Sequence, residues 1–113
     1  MNAVVEMGRE ARPASPLFIP LKAEYFQRFA RGEKREEYRL LGSRWNKRTC
    51  YPGRPVVLSC GYGKSQRLRG RVTGAHVVHY PDWLPGFVAC YGAGAGPALA
   101  IGIEIDSLSP AAR

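Results

Sequence analysis

The sequence lacks the patterns that mark several large classes of protein. Its 3 cysteines show no C-x-x-C spacing, which argues against a disulfide framework and a structural zinc site. No apolar run approaches the roughly 20 residues that span a bilayer, and the N-terminus lacks the charged-then-apolar pattern of a signal peptide. We therefore expect a cytoplasmic protein with free thiols, no membrane association, and neither a metal ion nor a cofactor.

Acidic residues are also scarce, and the basic excess is concentrated in one part of the chain. The whole chain has 17 Lys and Arg against 9 Asp and Glu. Residues 22–71 alone hold 14 basic and 4 acidic residues, whereas residues 72–113 hold 1 and 3. A surface with one basic face attracts anions, and phosphate backbones are its commonest partner. Charge that serves only solubility is the alternative.

Turn-forming residues are abundant for a chain of this length. The 113 residues are enough for one domain, and 13 glycines with 9 prolines favour short strands over a helix bundle. We assign residues 16–106 to the domain, residues 1–15 to a disordered tail and residues 107–113 to a C-terminal tail.

Hydrophobic periodicity predicts the order of the elements. Strands are predicted over residues 16–21, 33–41, 56–60, 68–79 and 98–106. Helices are predicted over residues 22–31, ending at Gly32, and over residues 43–48, with Ser43 as N-cap. Residues 87–91 are apolar but of uncertain type. This order predicts an α+β fold built on a small, partly open barrel of five to six strands, with one main helix near the N-terminus and a short second helix.

The strongest candidate site is the charged stretch from Gly32 to Arg39. Side chains alternate along a strand, so Glu37 and Arg39 share one face, and Glu36 and Tyr38 share the other. A carboxylate beside a guanidinium fork suits a nucleobase edge together with a phosphate. A solvated charged strand is the alternative reading of the same residues.

Lys34 can join the face of Glu37 only if it lies in the turn after Gly32 or at a bulge, and we predict that it does. We expect these residues to form the floor of a small cleft. The ligand would be single-stranded or looped RNA, a nucleoside or a nucleotide, because only unstacked bases can enter a cleft of this kind. The predicted ligand-binding residues are Lys34, Glu37, Tyr38, Arg39, Arg44, Trp45, Lys47 and Arg48. A track for the nucleic-acid backbone would continue along Arg67, Arg69 and Arg71.

The spacing Gly32-x-Lys34-x-x-Glu37-x-Arg39 resembles the G-x-K-x-x-E-x-R signature of the ASCH domain, a PUA-like β-barrel family linked to RNA. The segments over residues 20–26 and 45–48 and the closing strand over residues 98–106 are also similar, so the resemblance covers residues 16–106. It implies a barrel with a cleft beside the first helix, lined by the signature residues.

The resemblance implies more than one function. Some members bind RNA, some resemble nucleases, and some small bacterial members are amidohydrolases that deacylate acetylated cytidine. In those hydrolases a lysine works with a threonine, and here Lys34 matches the lysine while Glu37 takes the threonine position. In an enzyme, burial of Lys34 near Arg39 would lower its pKa, and Glu37 would orient it or activate water. A non-catalytic protein-interaction module is the third hypothesis.

Overall fold

The computed structural model describes residues 15–106. The elements run in the order β1 (Leu17–Leu21), α1 (Ala23–Ala30), β2 (Glu36–Leu40), β3 (Pro55–Cys60), β4 (Arg67–Val78), a 3-10 turn (Pro81–Trp83), α2 (Pro85–Tyr91) and β5 (Ala98–Ile105). Apart from Ser15, the two predicted tails lie outside the described residues. Within residues 15–106, no helix is long and apolar enough to cross a membrane.

The five strands form one curled sheet, a half-barrel with two open edges. The strand order is β1-β3-β4-β5-β2. β1 runs parallel to β3, and the other neighbours are antiparallel. The prediction of a small α+β fold with a barrel-like sheet is therefore confirmed. β1 and β2 are the edge strands of this sheet.

The core fills the concave side of the sheet. On β5, Leu99 and Ile101 are fully buried, and Ile103 is nearly so, as the alternating pattern of that strand predicts. α1 is amphipathic and presents Phe26 and Phe29 to the same core. The helix thus covers the hollow of the half-barrel.

β4 bends at an irregularity where its pairing with β5 shifts between Val72 and Gly74. A glycine inside a strand often marks such a bulge. The other glycine, Gly70, faces inward, where a Cβ atom would collide with the backbone of Glu104. Together the two glycines let a long strand follow the curvature of the barrel.

The prediction of a short second helix over residues 43–48 is wrong, because this segment is a loop of bends and turns. The side chain of Asn46 organises the loop. Its Nδ2 donates to the carbonyl oxygens of Gly42 (2.9 Å) and Ser43 (3.0 Å). Its Oδ1 accepts from the backbone N–H groups of Arg48 (2.9 Å) and Thr49 (3.1 Å). These bonds satisfy backbone groups that a helix would otherwise pair.

The second helix is α2, in the segment whose type the sequence left uncertain. Pro85 stands at its start, where the missing N–H costs nothing. It ends before Gly92, whose φ of 88° suits glycine. Leu84 and Phe87 anchor the helix to the convex side of the sheet, where they pack with Ala98.

Candidate functional site

The candidate site lies at the seam between the two edge strands. In β2, Glu37 pairs with Ile101 and Arg39 with Leu99. Directly opposed residues project to the same side of a sheet, so both charged side chains point to the concave side with the core. There Arg39 Nη2 donates a hydrogen bond to the carbonyl oxygen of Pro20 in β1 (2.7 Å). A side chain thereby joins strands that have no ladder between them.

A cleft opens beside this seam. Its volume is about 760 Å³, within the range of about 300–1,000 Å³ that is usual for small-molecule sites. Its walls come from the end of β1, from α1, from β2 and from α2. Four predicted residues lie in the cleft: Lys34, Glu37, Tyr38 and Arg39.

The turn after α1 sets the position of Lys34. Gly32 has a φ of 77°, and its N–H donates to the carbonyl oxygen of Phe29 (3.1 Å). The N–H of Glu33 donates to the carbonyl oxygen of Arg28 (2.8 Å), which completes a Schellman motif. The N–H of Lys34 reaches the same carbonyl (3.2 Å). Lys34 therefore lies in the turn, as predicted, before β2 begins.

The ammonium group of Lys34 is enclosed by three aromatic rings. Its Nζ lies 5.7 Å from the ring centroid of Tyr25, 5.5 Å from that of Phe29 and 5.2 Å from that of Tyr38. These distances allow cation–π attraction. Burial lowers the pKa of Lys34, and Glu37 opposes this shift while Arg28 adds to it. The cation that lowers the pKa is thus Arg28 of α1, whereas the sequence had suggested Arg39.

Glu37 is a nearly buried carboxylate between two cations. The residue is 8% exposed. Its Oε2 accepts from Arg39 Nε at 2.9 Å, whereas its Oε1 lies 3.8 Å from Lys34 Nζ. The first contact is a charge-assisted hydrogen bond, and the second is too long to be one. Oε1 and Nζ therefore keep hydrogen-bonding capacity on the side that faces the cleft.

The opposite side of β2 carries a second pair, as the alternation predicts. The hydroxyl of Tyr38 donates to Oε1 of Glu36 (2.8 Å). Burial, with help from this bond, raises the pKa of Tyr38 to about 12. The raised pKa keeps the phenol neutral well into the alkaline range, and its ring lines the cleft.

The other four predicted residues do not line the cleft. Trp45 packs against the core. The guanidinium groups of Arg39 and Arg44 lie 4.9 Å and 5.2 Å from its ring centroid. Trp45 thus packs against the guanidinium group of Arg39. Two guanidinium groups, and not a base, occupy the space near its ring. Lys47 and Arg48 are exposed on the loop.

The part of the cleft that α1 and α2 build was not predicted from the sequence. Tyr25 and Arg28 project from α1, and Phe87 and Tyr91 from α2. The rings of Phe87 and Tyr91 are 4.7 Å apart. Gly86 brings the helices together, since a Cβ there would lie 3.2 Å from the hydroxyl oxygen of Tyr25. The sequence signal for this helix was Pro85 at its start and Gly92 directly after its end.

Metal ligands are not grouped in the described part of the chain. Among residues 15–106, no cluster of three or more His, Cys, Asp and Glu side chains could hold a metal ion.

Comparison with known proteins supports the fold alone. No protein-family model and no curated protein matches the chain. Among solved structures, the chain is similar to one titled "Crystal structure of hypothetical protein PH0355", with a TM-score of 0.56 and 18% identity. The match covers 80% of this chain and 99% of the other. At this identity the likeness concerns the architecture alone.

Proposed function

We propose that this protein is an ASCH-type module that binds RNA or a nucleotide, with one unstacked nucleobase held in the cleft at the barrel seam. The observation that carries the proposal is the half-satisfied carboxylate of Glu37. One of its oxygens is fixed by Arg39 at 2.9 Å, and the other is 3.8 Å from the Lys34 ammonium. An acceptor and a donor side by side in the cleft match the mixed edge of a base better than they match a phosphate alone.

The polar groups would divide the recognition between them. Glu37 Oε1 accepts from an exocyclic amine, as carboxylates do with cytosine N4. Lys34 Nζ donates to a neighbouring ring nitrogen or carbonyl of the base. Arg39, with one nitrogen on Glu37 and another on Pro20, keeps the carboxylate in place. Glu37 is thus positioned before the ligand arrives, which reduces the ordering cost of binding.

The aromatic walls suit the faces of the base. Tyr25 and Tyr38 lie beside Lys34, and Phe87 and Tyr91 line the cleft from α2. Stacking on such rings contributes about 1–3 kcal/mol per base. Arg28 and Lys22 also line the cleft and would hold the attached phosphate. A paired base would not be available to these walls, so the ligand is single-stranded or looped.

Binding of single-stranded RNA and of mononucleotides tests this proposal. Lys34→Ala should weaken both, and the remaining RNA affinity should fall steeply with salt. The control is Lys47→Ala, which removes an equal charge from the exposed loop outside the cleft. Equal losses of RNA affinity in the two variants would exclude the cleft as the binding site. The same holds if RNA affinity changes neither with salt nor in Lys34→Ala.

A second candidate is hydrolysis of an acylated nucleoside, and the environment of Lys34 favours it. A lysine whose pKa is lowered by burial is a better base at neutral pH. With Glu37 beside it, it could take a proton from water, which would attack the acyl carbon and release the amine and a carboxylate. Incubation with acetylated cytidine should then yield cytidine and acetate, and Lys34→Ala should abolish the yield. No turnover across a panel of acylated nucleosides would end this reading.

A further inference from the structure

The arginines predicted to continue the cleft lie elsewhere, on the convex face of the sheet. Before the irregularity in β4, Leu68 and Val72 are buried on the concave side. The alternating residues Arg67, Arg69 and Arg71 are exposed on the other side. None of the three lines the cleft. They form a row whose members are about 6.7 Å apart along the strand.

Two aromatic side chains stand beside this row. Phe18 of β1 is half-buried, and the guanidinium of Arg67 lies 5.4 Å from its ring centroid. The ring of Tyr62, in the turn between β3 and β4, is 6.3 Å from that of Phe18. Tyr62 is 81% exposed. A large aromatic ring that is exposed next to arginines is available for stacking.

The turn that presents Tyr62 is fixed to the sheet. The N–H of Gly61 donates to the carbonyl oxygen of Leu21 (2.8 Å). The carbonyl oxygen of Gly63 accepts from the Ser59 hydroxyl (3.0 Å) and from Arg67 Nε (3.4 Å). The backbone is therefore held on both sides of Tyr62, which lowers the cost of ordering this turn on binding.

The charge of the row is uneven along the strand. Arg71 Nη2 forms an ion pair with Oδ1 of Asp106 (3.0 Å), and Glu104 is its cross-strand partner. Arg67 and Arg69 instead face Ser59 and Val57 of β3 across the ladder. The positive potential is thus strongest at the end of the row that adjoins the aromatic rings.

We propose that this convex face, formed by Phe18, Tyr62, Arg67 and Arg69, is a second binding surface for an extended single-stranded nucleic acid. Arginines at alternate strand positions contact successive phosphates, and Tyr62 stacks on a base. The face goes beyond the function of the cleft, because it contains no cleft residue. It also leads toward the cleft, since Phe18 and the cleft residue Pro20 lie on the same side of β1.

Fluorescence anisotropy with a short single-stranded oligouridylate tests the face. For the double variant Arg67→Gln/Arg69→Gln, the slope of log affinity against log salt should fall by about 1.4, or about 0.7 for each arginine. Tyr62→Ala should weaken binding about fivefold or more. Arg71→Gln is the matched control on the same strand and face, and it should change the slope least because its charge is already paired.

Two further probes separate this surface from the cleft and from a surface for acidic proteins. Affinity for cytidine monophosphate should depend on Lys34 and not on Tyr62, Arg67 or Arg69, so the cleft and the convex face are tested independently. Polyglutamate carries charge without bases, and it should compete poorly with the oligouridylate. The proposal is overturned if the double variant binds the oligouridylate as the wild type does. It is also overturned if polyglutamate competes equally while Tyr62→Ala has no effect.

Discussion

The guanidinium of Arg39, in one edge strand of the half-barrel, donates a 2.7 Å hydrogen bond to the carbonyl oxygen of Pro20 in the other edge strand. The same group holds the carboxylate of Glu37 at 2.9 Å. Unpaired edges expose backbone groups that would otherwise seek partners. One side chain therefore joins the seam of the barrel and fixes the acid at the bottom of the cleft, so that stability and ligand recognition depend on the same residue.

Arg39→Ala should destabilise the protein by about 3 kcal/mol, because it leaves a nearly buried carboxylate without its main partner. Arg39→Lys should recover only part of this loss, since an ammonium group cannot reach two acceptors in the planar geometry of a guanidinium. Urea denaturation measures both. Arg31→Ala removes an exposed ion pair with Glu33 and should leave the midpoint nearly unchanged. Equal effects at the two arginines would contradict the role of the seam.

Burial of Lys34 should appear in the pH dependence of stability. Its pKa in the fold is lowered, so above that value the unfolded chain binds more protons than the folded chain does. Its contribution to stability therefore rises with pH between the lowered pKa and the ordinary value of about 10.4. Replacing Lys34 by Met should remove this rise from the free energy of unfolding, measured from neutral pH to about pH 10. The same change at exposed Lys47 is the control, and parallel curves for Lys34→Met and wild type would refute the prediction.

Tyr38 should titrate near pH 12, because burial and the bond to Glu36 favour its neutral form. Between its ordinary pKa of about 10 and this value, the folded state loses stability as pH rises. Phenolate absorbance is read directly after a rapid pH jump, before the protein unfolds. Plotted against pH, it should contain a component that ionises only near pH 12. Tyr38→Phe should remove that component, whereas Tyr62→Phe, at an exposed tyrosine, should keep it. If the component near pH 12 persists in Tyr38→Phe, it belongs to another tyrosine.

Gly32→Ala should cost about 1–2 kcal/mol, because the φ of 77° belongs to the left-handed region that a Cβ atom disfavours. It should also disturb the turn that positions Lys34 and weaken any cleft ligand. Gly42→Ala is the matched control, since Gly42 has no positive φ and a Cβ there meets no atom within 4 Å. Thermal unfolding of the two variants measures the difference. A Gly32→Ala variant as stable as Gly42→Ala would show that the turn tolerates a side chain.

Local sequence patterns predicted those parts of the fold whose causes are local. The alternation in β5 follows from a strand with one side in the core, and the end of α1 at Gly32 follows from the left-handed conformation that glycine adopts there. The shared face of Glu37 and Arg39 needed only the period of a strand. Each of these features is set within a few residues of chain.

Features that depend on competition or on distant contacts were missed. The loop around Asn46 resembles a helix by residue type, but its side chain takes the backbone partners that a helix would use. The approach of α2 to Tyr25 at Gly86 joins residues far apart in the chain. The separation of Arg67 and Arg69 from the cleft depends on how the sheet curls. No local pattern carries that information.

Chemical-shift mapping with a mononucleotide shows whether a base binds in the cleft. On titration with cytidine monophosphate, we expect the amide signals that shift to belong to the turn at Lys34, to β2 around Glu37 and to α2. Glu37→Gln should reduce the affinity at least fivefold, since the buried acceptor becomes an amide that also presents donors. Shifts confined to the β3–β4 side of the sheet, or an unchanged affinity in Glu37→Gln, would show that the nucleotide does not bind in the cleft through Glu37.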